Sequence, residues 1–145
     1  MNVNYHLEKP SAISKVLSPN DTGETGGHQA GILIPKTGSV LDFFPCIDRS
    51  YKNPRAQLRF IDPAGEKWNF MFIYYNNRFF GGTRNEYRLT GMTSFFKQHN
   101  LKAGDTITLQ RLEDDQHLIN YKRANSMSTS GDILRLGSSW RVINI

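Results

Sequence analysis

At 145 residues the chain suits one domain, long enough to bury roughly two-thirds of its unfolded surface in a single core. With 38% apolar, 12% aromatic and 21% charged residues it has a globular profile, and the lack of an 18-residue apolar run excludes a membrane-spanning helix. A formal net charge of +5 and a pI near 9.5 favour a polyanionic partner, most simply nucleic acid, although many basic proteins bind none.

In chain order, Val3 to Lys15 leads into a first expected strand at Ile13 to Leu17. Ser18 to His28 is a turn-rich loop of small polar residues, and Ala30 to Pro35 reads as a strand stopped by proline. Gly38 to Phe44 forms one or two helical turns before Pro45. Ala56 to Ile61 alternates polar and apolar residues as a half-buried strand does. The turn Asp62-Pro63-Ala64-Gly65 returns the chain into a mostly buried strand, Glu66 to Tyr75. Arg88 to Thr90 is a short strand, followed by a short helix from Ser94 to His99 with Thr93 as its N-cap and Phe95 and Phe96 facing inward. Further strands are expected at Thr106 to Leu112, Leu118 to Arg123, Ile133 to Leu136 and Trp140 to Ile145. Short strands separated by turn signals indicate an all-β barrel or sandwich.

Charge is gathered rather than spread. Glu66 and Glu86 stand against Lys67, Arg78, Arg84 and Arg88, whereas Asp105, Glu113, Asp114 and Asp115 make another region acidic. The stretch Asn76-Asn77-Arg78-Phe79-Phe80-Gly81-Gly82-Thr83-Arg84-Asn85-Glu86-Tyr87-Arg88 is the most informative. It combines arginines, whose planar fork matches the two major-groove acceptors of guanine, with a glutamate able to accept from cytosine. Thr83, Asn85 and Tyr87 add short donors and acceptors for phosphates or bases. A solvated hairpin loop in which the glutamate pairs with its own arginines fits the same residues.

Two segments carry a specific likeness. Lys15 to Gly31, with its core Ser18-Pro19-Asn20-Asp21-Thr22-Gly23-Glu24-Thr25-Gly26-Gly27-His28, and Tyr74 to Thr90 both resemble segments of the N-terminal effector domain of EcoRII-type restriction endonucleases. A looser resemblance runs to the DNA-binding pseudobarrels of plant transcription factors, through Ile34-Pro35-Lys36 and Leu101-Lys102-Ala103-Gly104-Asp105. The resemblance implies a mainly β fold, a seven-stranded DNA-binding pseudobarrel with two short helices. Such a domain grips duplex DNA in the major groove between two loop arms. Position by position, the first arm supplies Lys15 and His28, with Ser18, Asn20 and Thr25 as helpers; the second supplies Arg78, Thr83, Arg84, Asn85, Glu86 and Arg88. Gly82 and Tyr87 stand where that domain has lysines, and Leu33 where it has a tyrosine, so fewer phosphate contacts are expected. The implied target is a short, nearly palindromic site of the CCWGG type, W being A or T.

Other chemistry finds little support. The glycine-rich Gly23 to His28 stretch lacks the terminal Gly-Lys-Ser/Thr of a nucleotide P-loop. His6, His28, His99 and His117 are scattered, and Cys46 alone offers no metal-binding pair and no internal disulfide, which suits a reducing cytoplasm. Asp62 with Glu66 and Lys67, and Asp114 with Asp115, are spaced as turns rather than as the acidic cluster a nuclease needs.

The N-terminus carries no basic start followed by an apolar stretch, so a secretory signal is not expected. The apolar ending Trp140 to Ile145 fits a domain cut from a longer chain. The expectation is therefore one non-catalytic domain over residues 1–145, the N-terminal part of a cytoplasmic, prokaryotic restriction endonuclease. It binds double-stranded DNA without a cofactor, and magnesium is needed only by a separate, covalently linked nuclease domain. The alternative is a transcription-factor-like reader that acts alone.

Overall fold

Residues 9–24, 31–124 and 139–143 are described by the computed structural model. Eight strands form one sheet: β1 (Ala12–Val16), β2 (Ile32–Ile34), β3 (Arg55–Ile61), β4 (Lys67–Tyr75), β5 (Glu86–Thr90), β6 (Thr106–Arg111), β7 (His117–Lys122) and β8 (Trp140–Ile143). Their order is β2-β5-β4-β3-β7-β6-β1-β8. Every pairing is antiparallel except β3 with β7, which run parallel through Phe60 and Ile61. The sheet curls until its edges approach, and the Trp140 indole N–H of β8 donates to the Leu33 carbonyl of β2 at 3.0 Å. That bond links the two edge strands, which otherwise present unpaired backbone groups.

Among the described residues the strands number eight, one more than the seven the resemblance implies, and the expected closing strand Trp140–Ile143 pairs along β1 with Ile13 opposite Val142. The strand expected at Ile133 to Leu136 lies outside the described residues. The helices number three among the described residues rather than two: α1 (Pro19–Thr22), α2 (Ser39–Asp42) and α3 (Thr93–Gln98). The additional one, α1, forms inside the loop read as turns. Ser18 Oγ accepts from the Asp21 N–H, while the Asp21 carboxylate accepts from the Ser18 N–H, a reciprocal cap that satisfies two orphan donors. Helix α3 begins at Thr93 itself, with Met92 as its N-cap and no side-chain capping bond.

Strand β3 shows why the alternation was readable. Leu58 and Phe60 point inward, whereas Arg55, Gln57 and Arg59 are exposed. Inside the curl, Phe43, Phe60, Phe70, Phe72 and Phe95 are fully buried. Stacked rings continue the core toward the second arm: Phe44 lies 4.6 Å from Phe72, and Tyr74 lies 4.2 Å from Tyr87. Fully burying such a ring contributes ~1.5–3 kcal/mol each, so the core supports the arms at their roots.

The β3–β4 turn is held by Asp62. Its carboxylate accepts from the Ala64 and Glu66 N–H groups and from the Trp68 indole, each at 2.9 Å, and lies 3.2 Å from His99 Nε2 on the cap of α3. Burial alone would raise the Asp62 pKa, but these hydrogen bonds outweigh it and hold the carboxyl below its ordinary range. Asp62 thus works as a turn organiser, as its spacing predicted.

Candidate nucleic-acid interface

The second arm starts at Asn76, which is 1% exposed although polar. Its amide spends every hydrogen bond on a neighbouring loop, accepting from the Asn53 N–H at 2.7 Å and donating to the carbonyls of Tyr51 and Arg49 at 2.8 and 3.3 Å. A single 3₁₀ turn, Asn77–Phe80, follows and ends at Gly81 with φ +91°, a left-handed conformation that glycine adopts without strain. Asn77 then fastens the loop to itself: its side-chain oxygen accepts from the Arg84 N–H at 2.7 Å, and its carbonyl accepts from the Gly82 N–H at 2.7 Å. The Arg78 N–H closes the loop onto the Arg84 carbonyl at 2.9 Å. A side chain at position 82 would meet Asn77 at 2.7 Å, so the absence of a lysine there is also a packing requirement.

Strand β5 takes in Glu86 as well as the expected Arg88, two residues apart and therefore on one face. Glu86 Oε2 accepts from Arg84 Nη2 at 2.6 Å and from Arg88 Nε at 2.8 Å. The Arg88 hydrogen bond, opposed by burial and reinforced by Arg84, holds the Glu86 carboxyl below the usual carboxylate range. Arg84 also lies over the Tyr75 ring at 3.9 Å, and Arg88 Nη1 donates to the Gly31 carbonyl at 2.8 Å. Asn85 accepts from the Tyr74 hydroxyl at 2.6 Å. Arg78 and Thr83 are exposed at the tip. The pairing of Glu86 with its own arginines, one of the two readings of this loop, is therefore present. It leaves Glu86 Oε1 with no donor among the described residues, and both guanidinium groups with further N–H groups to offer.

The first arm is arranged differently from the expectation. Lys15 is 8% exposed, and its ammonium donates to Asp21 Oδ2 at 2.6 Å, to Ser139 Oγ at 3.2 Å and to the Val16 carbonyl at 3.3 Å. It is buried because β1 lies between β6 and β8. Ser18 uses its hydroxyl as a helix cap, and Asn20 is exposed on α1. Thr25 and His28 lie outside the described residues. The base of the arm rests on the Leu101 to Asp105 turn. There Gly104 N–H donates to the Leu17 carbonyl, Leu17 N–H to the Asp105 carbonyl, and Ala103 N–H to Glu24 Oε2. Asp105 in turn accepts from the Lys102 and Ala124 N–H groups. Between the arms runs an open cleft lined by Asp21, Gly31, Tyr75, Arg84 and Thr93. It brings the two predicted segments to one concavity. Among the described residues, no group of three or more His, Cys, Asp or Glu is placed to hold a metal ion.

The curled, mainly β fold is shared with solved B3 domains. The chain matches the Arabidopsis FUS3–DNA complex with a TM-score of 0.60 and 22% identity, covering 77% of this chain and 96% of that one. It matches the B3 domain of the UbaLAI restriction endonuclease, solved with cognate DNA, with a TM-score of 0.57 and 20% identity, covering 92% of this chain and 87% of that one. These likenesses define the fold as a B3-type pseudobarrel.

In sequence, the family described as "Restriction endonuclease EcoRII, N-terminal" matches residues 9–117. The type II restriction enzyme EcoRII of Escherichia coli is 39% identical over 117 residues, 77% of this chain and 28% of the enzyme. The B3 domain-containing transcription repressor VAL1 of Arabidopsis thaliana is 31% identical over 138 residues, 94% of this chain and 16% of the repressor. The chain belongs to the EcoRII N-terminal domain family, and it spans less than a third of either relative's length.

Proposed function

We propose that this chain is a sequence-specific reader of double-stranded DNA that grips the major groove between its two arms, and that it serves as the effector-site domain of a restriction endonuclease recognising a CCWGG-type site. The observation that carries this reading is the Arg84–Glu86–Arg88 cluster. Two arginines, Arg84 on the loop fastened by Asn77 and Arg88 on β5, are oriented by one carboxylate at 2.6 and 2.8 Å. Arginine donors aimed by a carboxylate lose less rotamer freedom on meeting guanine than free side chains do. In this reading Oε1 of Glu86 accepts from a cytosine amino group. Binding of DNA by the FUS3 and UbaLAI B3 domains named above supports the same ligand.

In this reading the chain itself cuts nothing, and cleavage belongs to a linked nuclease domain that uses magnesium. Incubation of the chain with plasmid and magnesium or manganese tests that point. Cleavage that survives repurification and is lost in Asp62→Asn would overturn it. Competition binding between a CCWGG duplex and unrelated duplexes tests the reader itself: preference for the former is expected, and equal competition contradicts it.

A second reading, a transcription-factor-like reader without a nuclease, draws on the 31% identity to VAL1 over 94% of this chain. Cleavage by the full-length natural protein in magnesium separates the two.

A further inference from the structure

We infer that the loop 48–55 is a third DNA-contacting element, which clamps phosphates beside the site read by the second arm; this rests on the proposed DNA-reading function. Neither the two-arm reading nor the resemblance assigns this loop a role.

Three observations converge. First, the loop is rigidly coupled to the root of the second arm. The buried Asn76 amide holds the Asn53 N–H and the Tyr51 and Arg49 carbonyls, across 23 to 27 residues of sequence. An exposed loop with no structural duty has no need of three hydrogen bonds from a side chain that is 1% exposed. The left-handed Asn53, at φ +50°, turns the chain so that these groups face Asn76.

Second, the outward side of the loop is basic. Lys52 and Arg55 are exposed, and Tyr51 is 67% exposed with a hydroxyl able to donate to a phosphate, whereas the Arg49 guanidinium turns back toward the Tyr87 hydroxyl. The loop's acid, Asp48, is occupied locally, accepting from the Ser50 N–H and hydroxyl at 2.9 and 2.6 Å.

Third, the sheet register places Arg55 on the face that carries Arg88. Arg55 pairs with Ile73, Ile73 pairs with Arg88, and Arg88 pairs with Leu33. Residues directly opposite one another in antiparallel strands share a face, so Arg55 stands in one row with Arg88, two strand spacings or roughly 10 Å away. A cation at that offset from a base-reading arginine faces the sugar–phosphate wall of the same groove.

The experiment is a salt titration of duplex binding for the whole chain. It compares the wild type, the double variant Lys52→Ala/Arg55→Ala and the single exposed reversal Lys52→Glu, with Arg84→Ala alongside and thermal melting to verify folding. Each lost phosphate contact flattens the log–log slope by about 0.9. The double variant is therefore expected to lose about two units of slope. It should weaken CCWGG and unrelated duplexes by the same factor, leaving their ratio intact, and Lys52→Glu should act in the same direction. A slope and affinity unchanged in the double variant, while Arg84→Ala still abolishes preference, would overturn this inference and leave the DNA-reading function standing. A wild-type chain that binds no duplex removes both.

Discussion

Lys15 Nζ lies 2.6 Å from Asp21 Oδ2, and each side chain is only 9% exposed. The pair joins β1 to α1, so a lysine expected on the DNA surface is buried and braced against the start of the first arm. Removing one partner of a buried pair strands the other charge and destabilises by about 3–5 kcal/mol. Lys15→Ala should therefore lower the melting temperature and weaken binding without flattening the salt dependence, because its charge is already neutralised by Asp21. The double variant Lys15→Met/Asp21→Asn removes both charges and should recover much of the lost stability. A slope that drops by about one unit in Lys15→Ala, with melting unchanged, would return Lys15 to the phosphate-contacting set.

Gly82 offers a test of arm geometry separate from chemistry. A Cβ there would press on Asn77 Cγ at 2.7 Å, and Asn77 is the group that holds the Arg84 backbone. Gly82→Ala is expected to reduce preference for the specific duplex several-fold while the exposed loop leaves global melting almost unaltered. Equal specificity in wild type and variant would mean that the Asn77–Arg84 bond does not set the readout.

How far the sequence revealed all this differs by element. The β3–β4 hairpin was legible because alternation in Ala56 to Ile61 and the turn chemistry of Asp62 to Gly65 are local signals. The second arm was legible as a segment and Arg88 as the strand that follows it, but the start of β5 two residues earlier, at Glu86, was not. The burial of Lys15 was hidden because it depends on β8, which joins β1 from more than a hundred residues away. The role of Asn76 was hidden likewise, since its partners at 49–53 are distant in sequence. A clue did exist in the spacing of Arg49, Lys52 and Arg55 around Tyr51, a basic and aromatic cluster that the two-arm reading passed over.

Stability should respond to acid in two windows. The His117 ring packs against Phe43 and Phe60, and burial together with Arg111 lowers its pKa from the ordinary 6.5. A histidine depressed in the folded state adds stability above its unfolded pKa and loses it as pH falls toward the folded value. Melting temperature should thus decline as pH drops below about 6.5, and His117→Leu should flatten that decline. Asp62, also depressed, contributes above its unfolded pKa near 3.9 and loses that contribution as pH falls through its lower folded value. Asp62→Asn should accordingly destabilise at neutral pH and remove part of the acid limb. Parallel melting curves for His117→Leu and wild type from pH 7 to 5.5 would contradict the first assignment.

The central claim is that Arg84 and Glu86 read bases, and equilibrium titration of wild type, Arg84→Ala and Glu86→Ala against a CCWGG duplex and its single-base variants tests it most directly. Each contact typically discriminates by ~1–3 kcal/mol against the wrong base. The account predicts that each variant loses that discrimination at particular base pairs while keeping most of its affinity for unrelated DNA. Selectivity unchanged in both variants would contradict it and move the reading surface away from this arm.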